Sequence, residues 1–591
     1  MSPAEPAGAR DGPAMTVAGW LQILALVAVL TAVTPLLGGY MARVYQGERV
    51  ALTRVVGPLE RLLLRLFGAA DGEPQDWKRY CRSLLLFSAF TWIGLYVVLR
   101  TQGIQPFNPQ GFGSGPWDLS FNTASSFVSN TSWQFYGGET TLSYFSQMLG
   151  ITVASFTSCA TGMAVAAAMI RGLARRDSDR LGNFWVDMTR STLYVLVPVA
   201  LLAALLLVAT GVPQTLERSI DVHGISGLPQ TLAIGPVASQ EAIKLMSGDG
   251  GGFFNTNSAH PFENPTAVSN FVEILLMLLI PAAFTATFGR MVGRRRQGWV
   301  LYAVMLALFV GGTAIIYAAE AHGTPAQHLL AIHGGNLEGK EQRFGVAGSS
   351  LFVSAGTASG DGGVNSAVES YTGLGAAVAM ANMMTGEVVF GGPGSGLYGM
   401  LLLVVLGVFI CGLMVGRTPE YLGKQIQARE VKLASIGVLF VPLLVLITAG
   451  VAIATPAGRQ SMSTGGPQGF AETVYAYLSQ AQNNGSAFAG YTGFIQPLAG
   501  SAGSHGVVLA DLMGGFTMTF GRFVPIIAAL ALAGSLGPRR VAPASLGTMR
   551  TDTPTFGVFL VGFILIFAVL TFLTVLVLAP FAQALSSRLL S

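Results

Sequence analysis

Four polar, glycine-rich runs recur along an otherwise apolar chain, and their residue types suit the binding of a cation by backbone oxygen atoms. Glycine adopts positive φ angles without steric conflict, so such backbone can turn successive carbonyl groups to one side and replace the hydration shell of an ion. Each run is therefore a candidate cation-binding loop. The runs are Ser129-Asn130-Thr131-Ser132, Ser247-Gly248-Asp249-Gly250-Gly251, Ser359-Gly360-Asp361-Gly362-Gly363 and Gln482-Asn483-Asn484-Gly485-Ser486.

The spacing of the runs indicates a fourfold internal repeat. The second and third runs share the pentapeptide SGDGG and begin 112 residues apart (359 minus 247). Each run follows a short, mildly apolar stretch with helical character. A half-helix that stops within a membrane points its C-terminal carbonyl groups, the negative end of its dipole, toward the membrane centre, where they attract a cation. Four such loops around one axis would form a cation filter, whereas the alternative interpretation is a set of ordinary glycine-rich surface loops.

Long apolar segments must position these loops. Apolar runs of about 20 residues, the length that crosses the hydrocarbon core, occur ten times. The seventh is twice the needed length and is interrupted at the GGPGSG sequence of residues 391–396, so it predicts a broken helix rather than two spans. The expected spans lie near residues 17–40, 83–99, 141–170, 185–210, 267–289, 298–319, 372–416, 433–455, 508–535 and 555–580.

Basic residues are divided unevenly between the two sides of the membrane. Of the 33 Lys and Arg residues, 23 lie in the connections after spans 1, 3, 5, 7 and 9, eight lie on the other side and two, Arg190 and Arg522, lie within spans. Because cytoplasmic loops are enriched in Lys and Arg, the odd connections are expected in the cytoplasm. Both termini and the four glycine-rich runs are then extracytoplasmic.

Composition excludes several other classes of protein. The chain has 591 residues, of which 51% are hydrophobic and only 10% charged, against about 25% charged in a soluble domain. A soluble enzyme and a nucleic-acid-binding protein are therefore excluded. Cys81, Cys159 and Cys411 fit no metal or redox spacing, and the six histidines show no spacing typical of a metal site. The chain also lacks a Walker A sequence and the Asp-Lys-Thr-Gly phosphorylation motif of P-type pumps.

The glycine-rich runs lie within longer motifs that resemble a known family. The sequence GDGGGFFNTNSAHPFENPT at residues 248–266 is similar to the second filter segment of the KdpA family, the potassium-translocating subunits of bacterial Kdp potassium-transporting ATPases. The likeness covers roughly residues 15–585. The family's motif usually has Thr-Asn where this chain has Gly248-Asp249, and Ser where Gly360 stands. Further agreement occurs at FVSNTSWQFY (127–136), TGEVVFGGPGSGLYG (385–399) and NNGSAFAG (483–490).

This resemblance implies an all-α membrane protein with ten transmembrane helices and four helix-pore loop-helix repeats that form one channel-like pore. It places the potassium filter at Asn130, Thr131, Gly248, Asp249, Gly250, Gly251, Gly360, Asp361, Gly362, Asn483, Asn484 and Gly485. The expected divisions are an N-terminal extension at 1–14, which precedes a possible start at Met15, extra spans at 15–42 and 555–580, and pore repeats at 81–171, 183–293, 297–417 and 431–536.

Two charged residues and a glycine-rich break within the apolar spans are candidates for control of the pore. The resemblance implies an intramembrane gating loop at Gly391, Gly392 and Gly394. It also implies that Arg522 is an electrostatic barrier to cation leak below the filter, although a side chain that snorkels to the cytoplasmic face is the alternative. Glu387 is a candidate partner for Arg522 or a transient potassium ligand, and a structural carboxylate is the competing interpretation.

Hydrolysis of ATP must be supplied by another chain, since the motifs for it are absent here. The resemblance implies a complex in the bacterial inner membrane with a P-type ATPase subunit (KdpB), a single-span subunit (KdpC) and a small hydrophobic subunit (KdpF). Potassium would be the transported ligand, and this chain would bind no ATP and hold no catalytic site. A stand-alone potassium channel or an ion-coupled potassium transporter of the same superfamily is the alternative function.

Overall fold

The computed structural model describes residues 15–225, 227–330, 332, 334–493, 508–541, 549–576 and 578. Within these residues it confirms an all-α membrane protein with ten apolar spans. The N-terminal extension at 1–14 and the end of the tenth expected span, apart from residue 578, lie outside the described residues. The spans, numbered in chain order, are Val17–Gln46, Trp77–Arg100, Ser146–Ala174, Phe184–Thr210, Ala267–Met291, Arg295–His322, Ser395–Val415, Ala428–Ala454, Leu509–Leu536 and Pro554–Leu576.

Four shorter helices lie in the connections after spans 2, 4, 6 and 8, where the sequence predicts half-helices. We number them pore helices 1 to 4: Trp117–Val128, Val237–Met246, Gly345–Ala358 and Gly466–Gln482. The remaining helices are Thr53–Leu66, Gln102–Ile104, Gly138–Thr141, Asn257–Ala259, Pro325–Leu329, Val368–Ser370, Gly373–Met384 and Pro456–Arg459. Short antiparallel strand pairs join Gln75–Asp76 to Arg180–Gly182, Ile220–His223 to Pro229–Leu232, and Glu420–Tyr421 to Lys424–Gln425.

Side-chain caps mark where several of the spans begin. Thr16 accepts a hydrogen bond from the backbone amide of Gly19 at the start of span 1, and Asp76 accepts one from Arg79 at the start of span 2. Thr266 and Ser269 form a reciprocal capping box before span 5. Such caps satisfy amide groups that have no partner within the helix, so local sequence fixes these ends.

Connections of like parity meet at the same face of the helix bundle. After spans 1 and 3, the strand Gln75–Asp76 pairs with Arg180–Gly182. The connections after spans 4 and 2 meet where the Tyr144 hydroxyl donates to the Glu217 carbonyl over 2.7 Å. This separation of odd and even connections is the arrangement that ten successive crossings require.

The seventh span is broken, but earlier than the sequence predicts. A helix ends at Met384, the chain is non-helical from Thr385 to Gly394, and a second helix begins at Ser395. The expected break at 391–396 is therefore wrong in its bounds, because Ser395 and Gly396 are helical. Gly386 and Glu387 have φ angles of 85° and 50°, so helical geometry is already lost there.

Spans 1 and 10 bury a smaller share of their residues within the protein than spans 3 and 5 do. Span 1 crosses span 5 closely at Gly38, whose carbonyl accepts a hydrogen bond of 3.0 Å from Thr287 Oγ1. A Cβ atom at Gly38 would collide with the backbone of Ala283. Small residues thus allow two helices to approach each other within the membrane.

Candidate functional site

The four glycine-rich segments share one backbone conformation. We number the segments 1 to 4 by their first residues, Asn130, Gly248, Gly360 and Asn483. The first residue of each segment and the residue two positions later both have positive φ. The φ angles are 63° and 53° at Asn130 and Ser132, 61° and 73° at Gly248 and Gly250, 68° and 74° at Gly360 and Gly362, and 62° and 95° at Asn483 and Gly485. A positive φ at the first and third residues allows successive carbonyl groups to turn to one side of the chain, as they do in a cation filter.

The segments meet in a ring in which each contacts the next. A Cβ atom at Gly250 would collide with the Asp361 carbonyl oxygen, and one at Gly362 with that of Asn484. A Cβ atom at Gly485 would likewise collide with the carbonyl oxygen of Thr131. Segments 2, 3, 4 and 1 therefore follow one another around a common axis. Glycine is needed at these positions both for the positive φ and for the close approach.

Two asparagines join neighbouring segments through their side chains. Asn130 Nδ2 donates to the Gly248 carbonyl oxygen, which links segment 1 to segment 2. Asn483 Nδ2 donates to Thr131 Oγ1 over 2.9 Å, which links segment 4 to segment 1. Both residues are buried and have positive φ, a conformation that Asn tolerates better than most residues. These bonds fix the relative positions of the segments.

The second residues of segments 3 and 4 fold back on their own backbone. Asp361 Oδ1 accepts a hydrogen bond of 3.0 Å from the Gly363 amide, and Asn484 Oδ1 accepts one of 3.1 Å from Ser486. Asp249, the corresponding residue of segment 2, is also fully buried. The Asp361 and Asn484 side chains therefore help to hold the backbone in its alternating conformation.

A buried ion cluster supports segment 2. Lys244 Nζ lies 2.8 Å from Glu241 Oε2 and 2.7 Å from Glu263 Oε2. Glu263 Oε1 also accepts the backbone amide of Phe254 over 2.8 Å, and the Lys244 carbonyl accepts the amides of Asp249 and Gly250. The cluster thus ties pore helix 2 to the chain that follows the filter segment.

His260 packs behind the same loop. Its ring stacks on Phe254 with ring centroids 3.6 Å apart, and its Nδ1 accepts the Phe262 amide over 3.1 Å. Burial lowers the pKa of His260 below its usual 6.5. The neutral imidazole that this favours is the form that can accept the Phe262 hydrogen bond.

An open cavity of about 930 Å³ lies on the side of the ring where the even connections meet. All four segments reach it, through Ser132, Gly251, Gly362 and Gly485. Glu139 also lines the cavity, and burial raises the pKa of its carboxyl group. A hydrated cation would find room for its water shell here before it meets the ring of carbonyl groups.

The break in span 7 lies directly beside the ring. A Cβ atom at Gly248 would collide with Pro393 Cδ, and one at Gly360 would lie 2.5 Å from Glu387 Oε2 and 3.3 Å from the Gly392 amide nitrogen. Gly391 donates its amide to the Ala358 carbonyl over 3.3 Å. Gly394 packs against the Gly162 backbone of span 3, so the loop fills the space between the ring and span 3.

Arg522 points into the protein rather than to its surface. Its residue exposure is 6%, and its Nη2 atom lies 3.4 Å from the Ser158 carbonyl oxygen. Ser158 Oγ in turn donates to Asn130 Oδ1 of the ring over 3.0 Å. Among the described residues no ion pair joins Arg522 to Glu387, although both line one small cavity of about 70 Å³ that Asn483 also reaches.

All the sequence-predicted residues of the filter and the pore lie in this one region. Ser132 stands in the first run but not among the predicted filter residues, and sequence reasoning missed Lys244 and Glu263 as parts of the site. Ser132 stands two residues after Asn130, as Gly250 stands after Gly248, so alignment of the four runs contains the signal for it. Lys244, four residues before Gly248 in an apolar segment, is a charge that signals a buried partner.

Comparisons with known proteins agree on one family. The model of the KdpA family, described as potassium-transporting ATPase A subunit, matches residues 24–585. The potassium-transporting ATPase potassium-binding subunits of Mesorhizobium japonicum and Brucella anthropi are 49% and 48% identical to the chain over 572 residues, which covers 97% of this chain and 99% of each relative. The corresponding subunit of Methylobacterium nodulans is 50% identical over 97% of this chain and 98% of its own.

One solved structure also matches over most of its length. The potassium transporter TrkH from Vibrio parahaemolyticus superimposes with a TM-score of 0.49 and 14% sequence identity. The match covers 87% of this chain and 97% of the TrkH chain.

Proposed function

The chain belongs to the KdpA family, the A subunits of potassium-transporting ATPases, and from that premise we propose that it selects potassium and conducts it into an ATP-driven uptake complex. The relatives at 48–50% identity are named as potassium-binding subunits. In this proposal potassium enters from the extracytoplasmic side, loses its water at the ring and passes to the ATPase partner. The chain itself binds no ATP and has no catalytic site.

The observation that carries this proposal is the fourfold alternation of backbone conformation in the ring. Positive φ recurs at the first and third residues of all four segments. Potassium is a cation that backbone carbonyl groups bind when they replace its hydration shell, so this geometry suits it without any charged ligand. We assign the ion-binding carbonyl groups to the segments that begin at Asn130, Gly248, Gly360 and Asn483.

We assign control of the pore to the residues beside the ring. The glycines at 391, 392 and 394 allow the loop to change conformation, and Glu387 lies against Gly360 of the ring. The buried Arg522 guanidinium places a positive charge at the small cavity that Glu387 and Asn483 also line, and this charge opposes cation leak. The division of the chain into pore repeats at 81–171, 183–293, 297–417 and 431–536 is part of this proposal.

The partner subunits supply what this chain lacks. We propose that KdpB hydrolyses ATP and receives the ion, and that KdpC and KdpF complete the complex in the bacterial inner membrane. The sequence lacks both nucleotide motifs considered above, which supports hydrolysis elsewhere. The unequal distribution of Lys and Arg supports cytoplasmic odd connections and extracytoplasmic termini.

Purification of the tagged chain from its native membrane tests the proposal. The material that co-purifies is assayed for ATP hydrolysis while potassium is raised from micromolar concentrations, with sodium in parallel. We expect stimulation by potassium and none by sodium. A matched Gly250→Asp variant, which places a carboxylate where two backbones meet, is expected to require at least tenfold more potassium, about 1.4 kcal/mol of binding free energy.

Two results would overturn parts of this proposal. Absence of an associated ATPase, together with potassium flux through the purified chain alone in liposomes, would make it a stand-alone channel or ion-coupled transporter. Unchanged half-saturation by potassium in Gly250→Asp would instead contradict the assignment of the filter and leave the subunit's role intact.

A further inference from the structure

The helix Thr53–Leu66, in the connection between spans 1 and 2, has three distinct faces. Residues three, four and seven apart share one face of a helix. One face, which includes Val56, Glu60 and Leu63, packs against the protein. A second face carries only apolar side chains, each between 45% and 75% exposed: Val55, Leu59, Leu62 and Leu66. A third carries exposed arginines at 54, 61 and 65.

The protein-facing side is held firmly, so the other two faces have fixed directions. Glu60 pairs with Arg190 of span 4 over 2.8 Å and accepts a hydrogen bond of 2.6 Å from the Tyr194 hydroxyl. Val56 and Leu63 pack on a small buried cluster that contains Leu193. The helix therefore cannot turn its apolar stripe inward without breaking these contacts.

The apolar stripe is strongly exposed for residues of its type. Val55 is 75% exposed and Leu66 is 72% exposed. The neighbouring spans have similarly exposed apolar side chains, such as Leu36 at 72% and Phe90 at 76%. Since apolar side chains of spans are exposed to this degree where they face lipid, the stripe has the exposure of a lipid-facing surface. A helix with an apolar face next to a basic face is typical of the membrane interface.

The arginines beside the stripe have no acidic partner in the described part of the chain. No ion pair there involves Arg54, Arg61 or Arg65, whereas Glu60 on the same helix is paired to Arg190. The helix also lies in an odd connection, which the distribution of basic residues assigns to the cytoplasmic side. The cytoplasmic leaflet is the one whose anionic lipids attract basic segments near the membrane.

We propose that the helix Thr53–Leu66 lies in the cytoplasmic membrane interface, with its apolar stripe among the lipid chains and its three arginines bound to anionic phospholipid headgroups. This proposal adds a lipid-binding surface to the pore subunit and is independent of the filter. It gives the complex a preference for anionic lipid next to span 1 and holds the first connection against span 4.

A fluorescent label on the stripe tests the proposal in the intact complex. Leu62→Cys carries an environment-sensitive fluorophore in a Cys411→Ala background, since Cys81 and Cys159 are buried. The complex is reconstituted with phosphatidylcholine or phosphatidylglycerol brominated on the acyl chains, and quenching gives the ratio of the two association constants. Because each basic residue near an anionic surface contributes about a fivefold preference, we expect a ratio of at least about five for phosphatidylglycerol.

Two comparisons separate headgroup binding from simple contact with lipid. Arg54→Gln/Arg61→Gln/Arg65→Gln with the same label is expected to keep the quenching and lose the preference, so that the ratio falls to about one. Arg540→Gln is the control, because Arg540 is exposed in a later cytoplasmic connection. High salt should lower the ratio for the chain with all its arginines, which tests the proposal even if the triple variant does not assemble.

Two outcomes would overturn the proposal. A label at residue 62 that neither brominated lipid quenches in the complex would mean that a partner protein covers the stripe. Equal association of both lipids with the chain that has all its arginines, at low and at high salt, would exclude headgroup binding. Neither outcome would affect potassium stimulation of the ATPase, so the function proposed above is tested separately.

Discussion

Replacing Gly250 by alanine perturbs the candidate filter at a single backbone position. Gly250 has a φ of 73°, and a Cβ atom there would lie 2.8 Å from the Asp361 carbonyl carbon. Ordinary contacts begin near 3.4 Å and the carbonyl oxygen lies closer than the carbon, so the Asp361 carbonyl must move by more than 0.6 Å (3.4 minus 2.8). Gly250→Ala therefore displaces the Asp361 carbonyl group of segment 3 as well as the backbone of segment 2.

The size of the effect follows from the conformation that ion binding requires. An alanine held in the left-handed region costs roughly 1–2 kcal/mol, before any cost of the collision with segment 3. If potassium binds only when position 250 is left-handed, the apparent affinity falls by this free energy, which corresponds to about 5-fold to 30-fold. The collision increases the loss, so we expect at least about a tenfold weaker affinity for potassium.

The half-saturating potassium concentration for ATP hydrolysis by the purified complex measures this loss. Gly293→Ala is the matched control, because Gly293 has a φ of 72° and no atom within 4 Å of the position of a Cβ. It bears the same backbone strain far from the ring. We expect Gly293→Ala to lower the melting temperature and to leave the potassium requirement unchanged.

One pattern of results would refute the reasoning. If Gly250→Ala changed the potassium requirement no more than Gly293→Ala did, the close contact of segments 2 and 3 would have no part in ion binding. A fall in melting temperature without a change in affinity would make Gly250 a folding residue only.

Three further perturbations address the surroundings of the ring. Lys244→Met leaves the buried Glu263 carboxylate without its cation, so we expect the free energy of unfolding to fall by about 3–5 kcal/mol, measured by thermal unfolding in detergent. Partial recovery of stability in Lys244→Met/Glu263→Gln would identify the unpaired carboxylate as the cause. Full stability of Lys244→Met would contradict this prediction. Because the pKa of His260 is lower in the folded chain, the unfolded chain binds the proton more readily. The stability that the neutral ring contributes is therefore present above pH 6.5 and is lost as the pH falls through the pKa of the folded state. The difference in melting temperature between the unchanged chain and His260→Gln should therefore shrink on acidification, and a constant difference would exclude this titration. Arg522→Ala removes the buried positive charge beside the ring and is expected to raise passive potassium flux into liposomes without ATP, whereas flux equal to that of the unchanged complex would mean that Arg522 is no barrier.

Hydropathy and glycine content do not depend on how the helices are arranged, so the membrane spans and the glycine-rich segments could be predicted directly from the sequence. Apolar runs long enough to cross a membrane predicted ten spans, and ten are present among the described residues. The break in span 7 was predicted to begin at Gly391, whereas it begins at Thr385. A cluster of Gly and Pro marks where helix is costly, but the last favourable turn depends on neighbours that the sequence alone does not identify.

The amino-acid sequence by itself determined that four glycine-rich segments follow four half-helices, because repetition of residue types needs no knowledge of contacts. Only the tertiary structure decided how the segments meet. The bond from Asn483 to Thr131 joins residues 352 positions apart, and the packing of Gly250 against Asp361 depends on where two separate helices stop. The support of segment 2 by Lys244 was equally hidden, since a buried charge signals that a partner exists and does not identify it. Contacts between distant residues depend on the relative positions of the helices, which the packing of the whole bundle determines. Local sequence patterns therefore do not predict these contacts.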